Sequence, residues 1–481
     1  MNPYDEVLYE GHPFAQTHPD RLATMARLFG MEAAPVERCR LLELGCGDGG
    51  NLIPMAYTLA GSEFVGLDAG ERGIAKGRGL ALALGLSNLQ LRALDLMEAD
   101  ADLGTFDYIV AHGVYSWVPP AVQERILAIC RDRLSRHGVA YISYAAYPGG
   151  HLRTMISEML QYHARRFPEP ARQIEQARAF LTFLAQREPD DGCTLMLREE
   201  VETVAARRPA TLYHDELAAH SAPVYFHQFA ASAGRHGLQY LGEADFFEMQ
   251  DCVLPAEASG MLRRLAKDLI DREQYMDLFK CRRFRQTLLC HAGLKLDRAV
   301  RSEQMRAFHV SASSRAQREA PPKLPTDHPV ALAAVAAANE AWPAALSFEK
   351  LLGEVERRAG AFAEVDALLA DVVLACFAGG LFQLHVRPPK FAACAGERPR
   401  ASALARLQAQ SGEYVTNLCH NPVRLEGDWS RLLLKLADGS RDHAALLADL
   451  RAAAGPEASE IRQEDFDRSL QGLAACALLE A

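Results

Sequence analysis

From Arg38 onward the chain alternates short apolar runs with segments of helix length, and a glycine-rich turn separates the first run from the first helix. Arg40-Leu41-Leu42-Glu43-Leu44 reads as a strand and Gly50 to Leu59 as a helix. Glu63-Phe64-Val65-Gly66-Leu67 is a second strand, followed by a helix through Ile74 to Leu84. Leu89-Gln90-Leu91 and Phe106 to Ala111 are the third and fourth strands; a helix through Gln123 to Leu134 leads to a fifth, Val139 to Tyr144. Strands joined by helices of this length imply a parallel, doubly wound α/β sheet, because only a crossover helix returns the chain to the same sheet edge.

Beyond Tyr147-Pro148-Gly149 the strand pattern stops. Residues 151–187 read as two amphipathic helices broken at Pro168 and Pro170, an insertion extending to about residue 220. The segment from Gly237 to Glu248 reads as a hairpin that closes the sheet, and about Ala256 to His291 as a helical region. Proline clusters at Pro321-Pro322-Lys323-Leu324-Pro325, Pro388-Pro389 and Pro399 punctuate the remainder as linkers. Glu364 to Val386 and Asp465 to Ala481 each end in a helix followed by a short apolar strand, which suits two winged-helix-like modules or two unrelated amphipathic helices. The resulting division is a sheet domain over 1–250 with its insertion, an overlapping region at 210–295, and modules at 325–390 and 400–481.

At 481 residues the chain exceeds one hydrophobic core. A formal net charge of −10 argues against a dedicated nucleic-acid binder, which needs a basic footprint. No stretch approaches eighteen uninterrupted apolar residues, and Met1 to Glu6 shows neither a basic leader nor an apolar core, so a cytoplasmic location is expected. Eleven scattered cysteines, none in C-x-x-C spacing, are read as free thiols rather than as a metal site.

The chemistry is carried by Glu43-Leu44-Gly45-Cys46-Gly47-Asp48-Gly49-Gly50-Asn51. Glycines between a strand and a helix let the backbone approach a ligand where side chains would collide. Gly45, Gly47 and Gly50 also satisfy the dinucleotide fingerprint, so a nicotinamide carrier competes with S-adenosylmethionine as the ligand. Three carboxylates favour the second. Glu43 precedes the first glycine by two residues, where it would repel a pyrophosphate but suit an ammonium and a sulfonium. Asp68 ends the second strand, where a carboxylate accepts ribose hydroxyls. Asp95, with Leu96 beside it, follows the third strand, where it can receive an adenine amino group or act as an N-cap. The expected cofactor contacts are thus Glu43, Gly45, Cys46, Gly47, Gly49, Asn51, Asp68, Asp95 and Leu96, and no metal is expected.

Beyond the turn the sequence resembles a bacterial family. The resemblance is carried by Tyr4-Asp5-Glu6-Val7, His12-Pro13-Phe14 and Gln16-Thr17-His18-Pro19, and by Ala111-His112-Gly113-Val114-Tyr115-Ser116-Trp117-Val118-Pro119. Ser143-Tyr144, Tyr147-Pro148-Gly149, His151, Pro223-Val224-Tyr225-Phe226-His227 and Arg283 to His291 extend it. This is similar to bacterial class I S-adenosylmethionine-dependent methyltransferases with a methyltransferase regulatory domain, among them the rickettsial-type protein lysine methyltransferases. The resemblance implies a Rossmann-like methyltransferase domain with a helical insertion, a middle region and winged-helix-like C-terminal modules. It also implies a protein lysine acceptor and a homodimer, with Tyr4 in an N-terminal lid over the cofactor.

The sequence departs from that family after the fifth strand. Members read Ser-Tyr-Asn-Thr-Tyr-Pro-Gly-Trp-His, whereas this chain has Ser143-Tyr144-Ala145-Ala146-Tyr147-Pro148-Gly149-Gly150-His151. Methyl transfer from a sulfonium is an in-line displacement, so a lysine amine must be neutral, aligned and shielded from water. Tyr115, Trp117, Tyr144 and Tyr147 stand at the expected mouth of the sheet and are assigned to an aromatic acceptor channel, with His112 near adenine or the methyl donor. Packing between helix and sheet is the alternative for each aromatic. Three functions follow: lysine methylation of a protein, methylation of a small molecule, or a cofactor-binding regulatory protein whose channel has decayed.

Overall fold

The structure is a computed structural model. It describes residues 3–481 apart from 100, 189–190, 219, 253, 314–326, 361–362 and 456–460. The proline cluster at 321–325 lies outside the described residues.

Strands β1 (Arg40–Leu44), β2 (Glu63–Asp68), β3 (Leu89–Ala93), β4 (Phe106–Ala111), β5 (Leu134–Ala145), β6 (Leu238–Glu243) and β7 (Phe284–His291) form one sheet in the order β3-β2-β1-β4-β5-β7-β6. The pairs among β1–β5 are parallel, and β7 enters antiparallel between β5 and β6. Order reverses between β1 and β4, so the carboxyl ends of those two strands open on the crevice where ligands of such sheets bind. Side chains alternate between two cores. Leu42, Leu44, Ile109, Ala140, Ile142 and Tyr144 face one, Leu41, Tyr108, Val110, Val139 and Tyr141 the other.

Two sequence expectations fail here. Gly237 to Glu248 is no hairpin: only Leu238–Glu243 is a strand, and Phe246–Met249 is a short 3-10 turn whose Phe246 and Met249 plug the core. The helical region also stops early. Helices Ala256–Leu265 and Leu269–Lys280 give way to β7, which inserts between β5 and the edge strand β6. Strand β7 is buried on both faces, so its apolar residues show no alternation, and Arg285 within it imitates a polar helix face.

Arg285 is wholly buried. Its guanidinium meets Glu243 at 2.5 Å, Asp277 at 2.8 Å and Glu273 at 3.1 Å, and lies 3.9 Å over the Phe226 ring. The three carboxylates come from β6 and the helix Leu269–Lys280, so this cluster fixes the middle region onto the sheet.

The insertion comprises helices Gly150–Ala164, Pro170–Ala185 and Gly192–Ala205, with a core of their own around Ile156, Leu160, Leu181 and Val204. The next unit begins upstream of the expected residue 325. Strand β8 (His309–Ala312) pairs with β9 (Leu346–Ser347) and β10 (Phe382–His385), flanked by helices Pro329–Ala341, Phe348–Ala359 and Val365–Ala378. Its core is continuous with that of the sheet domain. The last unit packs helices Ala403–Ser411, Asp428–Leu436, His443–Ala454 and Gln463–Ala475 around a separate core. Its terminal strand is reduced to one bridge, Ala401 to Leu479. No helix among the described residues is long and apolar enough to cross a membrane.

Candidate active site

The glycine turn connects β1 to the helix Leu52–Thr58 at the point where strand order reverses. Gly45, Gly47 and Gly49 take φ of 75°, 56° and 74°, a region that other residues avoid. A Cβ on Gly50 would strike the Gly11 main chain, so the N-terminal segment lies directly on the turn.

The turn's own hydrogen bonding distinguishes its ligand. Gly45 and Cys46 donate their N–H groups to Leu67 O at 2.8 and 3.1 Å, Gly49 donates to Cys46 O at 2.9 Å, and Gly47 and Gly50 donate to the carboxylates of Asp68 and Asp48. A pyrophosphate needs free N–H donors at such a turn, and these are already engaged. Three acids at the turn, Glu43, Asp48 and Asp68, instead make an environment for positive charge. Lys76 balances only Asp48, at 2.9 Å.

Glu43 is 3% exposed and accepts from Asn51 Nδ2 at 2.7 Å, while its Oε2 is buried with no partner among the described residues. Burial pushes its carboxyl up to about 8; the Asn51 bond opposes this and the Asp68 charge adds to it. Asp68 accepts from Gly47 at 2.8 Å and Gly70 at 2.7 Å, one bond to each oxygen; burial raises its pKa against those bonds. Each carboxylate oxygen keeps a free lone pair for a hydroxyl donor. Asp95 is exposed and caps the following turn by accepting from Met97 N at 2.9 Å, with Leu96 buried beside it. An unpartnered buried carboxylate oxygen and donor-depleted glycines fit the ammonium, sulfonium and ribose of S-adenosylmethionine.

Several expected contacts have other employment. The Asn51 side chain is 4% exposed: Nδ2 serves Glu43, and Oδ1 accepts from Phe14 N at 3.0 Å and faces His420 Nε2 at 2.9 Å. It is therefore a structural organiser rather than a free ligand group. The Cys46 thiol is packed against the turn, where Gly66 leaves it room, and burial raises its pKa. His112 is pinned by Tyr141 Oη at 2.9 Å and Ser143 Oγ at 3.3 Å, with the Phe14 ring 3.8 Å away. Burial lowers its pKa to about 4, so it is neutral and hydrogen-bonded within the protein, a poor position for a general base.

The aromatic channel separates into two groups. Tyr144 is fully buried, stacked on Phe229 at 4.2 Å with its hydroxyl 3.1 Å from Thr287 Oγ1; Tyr115, 4% exposed, meets the Phe229 ring edge-on at 5.3 Å. Both fill the helix–sheet interface, because β5 turns Tyr144 toward the helix Phe226–Arg235, and neither can line a channel. Trp117 and Tyr147 are half-buried. Trp117 faces the Arg153 guanidinium at 5.6 Å, and its indole N–H is buried without an acceptor among the described residues. Tyr147 stacks on His151 at 4.0 Å and meets Tyr225 at 5.3 Å. Ala145 and Ala146 are buried, and Gly150 backs onto Pro223.

An N-terminal strap crosses the site. Asp5 accepts from Arg72 N at 2.9 Å, Gly11 N donates to Asp48 at 3.1 Å, and Phe14 N donates to Asn51. On its far side His214 Nε2 approaches Val7 O at 2.6 Å, Tyr213 reaches Glu6, and Arg208 approaches His12. The strap thus ties the turn to the insertion. Tyr4 belongs to its short helix Pro3–Glu6, but its side chain lies outside the described residues. Sequence reasoning misses Phe14 and Thr17, whose hydroxyl accepts from Asn51 Nδ2 at 3.0 Å, although their motifs carry the resemblance; Gly11 lies outside those motifs. His420 had no sequence signal at all.

Comparison with known proteins agrees with this geometry. Residues 42–140 match the family described as "Methyltransferase domain", residues 208–291 the "Predicted methyltransferase regulatory domain", and residues 397–474 "PKMT, C-terminal winged helix domain". The uncharacterized protein RP028 of Rickettsia prowazekii is 33% identical over 240 residues, covering 50% of this chain and 96% of that protein. RP789 of the same organism is 38% identical over 311 residues, or 64% of this chain; the match spans 56% of the relative's length. The solved structure of PKMT2 from Rickettsia typhi in complex with AdoHcy superposes with a TM-score of 0.88 at 25% identity, covering 98% of this chain and 99% of that one. The chain belongs to the family of S-adenosylmethionine-dependent methyltransferases that join a methyltransferase domain to a methyltransferase regulatory domain and a PKMT-type C-terminal winged helix.

Proposed function

We propose that this protein transfers methyl groups from S-adenosylmethionine to lysine side chains of a protein. The observation that carries the cofactor reading is the Glu43 Oε2, unpartnered among the described residues, beside a turn whose four glycine N–H groups are already engaged. The acceptor reading draws on the similarity to PKMT2 over nearly the whole chain. When bound, the cofactor supplies a methyl group on a positively charged sulfur, and its departure leaves a neutral thioether.

The protein's part is binding, alignment and exclusion of water. Glu43 would hold the amino group, Asp68 the ribose hydroxyls, and Asp95 with Leu96 the adenine edge. The strap from Asp5 to Phe14 covers the turn, and its ties to Tyr213 and His214 bring the insertion over the same crevice. The half-exposed aromatics Tyr147 and Tyr225 would offer faces that attract an incoming ammonium. Trp117, with the Arg153 guanidinium over its ring, would narrow the entry, and desolvation there would favour the neutral amine for attack. No side chain need take a proton during the displacement if the amine enters deprotonated; His112 is already committed within the protein. In this reading the protein works in the cytoplasm, without nucleic acid, and two copies associate.

The test is incubation with labelled S-adenosylmethionine and cell lysate. Label on protein, released as methyllysine on hydrolysis, is the expected result. Label confined to small molecules would replace the acceptor assignment, and saturable cofactor binding without transfer would indicate a regulatory protein.

A further inference from the structure

We propose that His420, carried by the C-terminal winged-helix module, is a positioning residue for the cofactor turn, holding Asn51 and through it Glu43. This rests on the reading of that turn as the S-adenosylmethionine site.

Asn51 stands at the start of the helix that the glycine turn opens, and its amide orientation is set by its neighbours. Phe14 N–H donates to Oδ1, which leaves Nδ2 to donate to Glu43. His420 Nε2, 2.9 Å from the same Oδ1, must therefore carry the proton. Burial drives the His420 pKa well below its ordinary value, and the neighbouring His18 charge acts in the same direction, so the ring is neutral and donates from one nitrogen only. Its Nδ1 is buried with no partner among the described residues. A neutral donor spends no charge on Asn51 and leaves Glu43 as the turn's binding group.

The module is built to deliver this ring. His420 adopts φ of 58°, a left-handed conformation uncommon for a residue with a side chain. Asn417 holds it: its Oδ1 accepts from Cys419 N and Asn421 N, and its Nδ2 donates to Cys476 O at 2.9 Å. Leu418 N donates to Ala477 O in the same loop. The module grips the other end of the same short helix as well. The Tyr57 hydroxyl donates to the Glu480 carboxylate and accepts from Ala403 N at 3.0 Å. Helix Leu52–Thr58 is thus held at both ends by residues more than 340 positions away in sequence.

The experiment compares His420→Ala and His420→Gln in the full chain, reading the affinity for S-adenosylhomocysteine by calorimetry. Amide exchange over residues 49–53 without ligand is the second readout. Gln can place its Nε2 donor where the imidazole Nε2 stands; Ala cannot. Ala is expected to weaken binding about tenfold, the loss of one buried hydrogen bond, and to speed exchange over the turn, with Gln restoring both. Wild-type affinity in the Ala variant, or equal losses in Ala and Gln, would overturn the positioning role. If wild type itself shows no saturable binding, the cofactor reading fails and this inference falls with it.

Discussion

Asn51 Nδ2 donates to Glu43 Oε1 across 2.7 Å, while the second Glu43 oxygen is buried and unpartnered among the described residues. The free protein therefore keeps a proton on Glu43 near neutrality, its carboxyl lying at about 8. A cationic ligand favours the carboxylate, so cofactor binding at pH 7 should release on the order of one proton. Affinity should rise as pH increases toward 8 and level off above it. Calorimetry in two buffers of different ionisation heat measures the release; equal heats in both would remove Glu43 from the ammonium site. The same shift has a stability sign. Because the folded pKa lies above the unfolded one, the native state holds more protons between about 4.5 and 8 and loses stability as pH rises through that window. Glu43→Gln should flatten that slope in denaturant titrations.

Asp68 acts on the turn as well as on the ligand, since it accepts from Gly47 and Gly70. Asp68→Ala should weaken cofactor affinity by tenfold or more, about 1.4 kcal/mol. Asp68→Asn retains one acceptor and should fall between. Equilibrium binding with S-adenosylhomocysteine separates the two; an Ala variant that binds like wild type would refute the ribose assignment.

Trp117 and Tyr144 were both placed in the channel by sequence, and the structure predicts opposite behaviour for them. Trp117→Ala should lower turnover with the protein acceptor and leave cofactor affinity within about twofold. Tyr144→Phe should cost about 1 kcal/mol of stability through the lost Thr287 contact and leave acceptor kinetics untouched. Steady-state kinetics with the unmethylated acceptor protein and thermal unfolding check both variants.

Arg285 neutralises carboxylates from three positions inside the protein. Arg285→Met should destabilise the fold by about 3–5 kcal/mol, because the acids remain buried without their cation. Denaturant unfolding measures it. Replacing Glu273 by Gln in that background should recover part of the loss by removing one orphaned charge.

Local pattern in the sequence was enough for the first five strands, the crossover helices, the glycine turn and the acids Glu43 and Asp68. Each depends on neighbours within about ten residues or on period-two and period-3.6 alternation. The helix-then-strand pattern pointed to the C-terminal modules, and the resemblance added the middle region and the N-terminal motifs that form the strap. Strand β7 was read as helix because burial on both faces erases alternation and its arginine pairs only through tertiary contacts.

The fates of the four channel aromatics were likewise not local. Tyr115 and Tyr144 share composition and neighbourhood with Trp117 and Tyr147, yet the first two meet Phe229 in the core, whereas Trp117 is half-buried beside Arg153 and Tyr147 is half-buried against His151 and Tyr225. Residue type and spacing determined that this chain would build a nucleoside-binding sheet with acids at its turn. Only the folded structure decided that Asn51 is held by Phe14 and His420 rather than by the ligand. Hydrogen bonds between segments hundreds of residues apart leave no periodic trace in the chain that forms them.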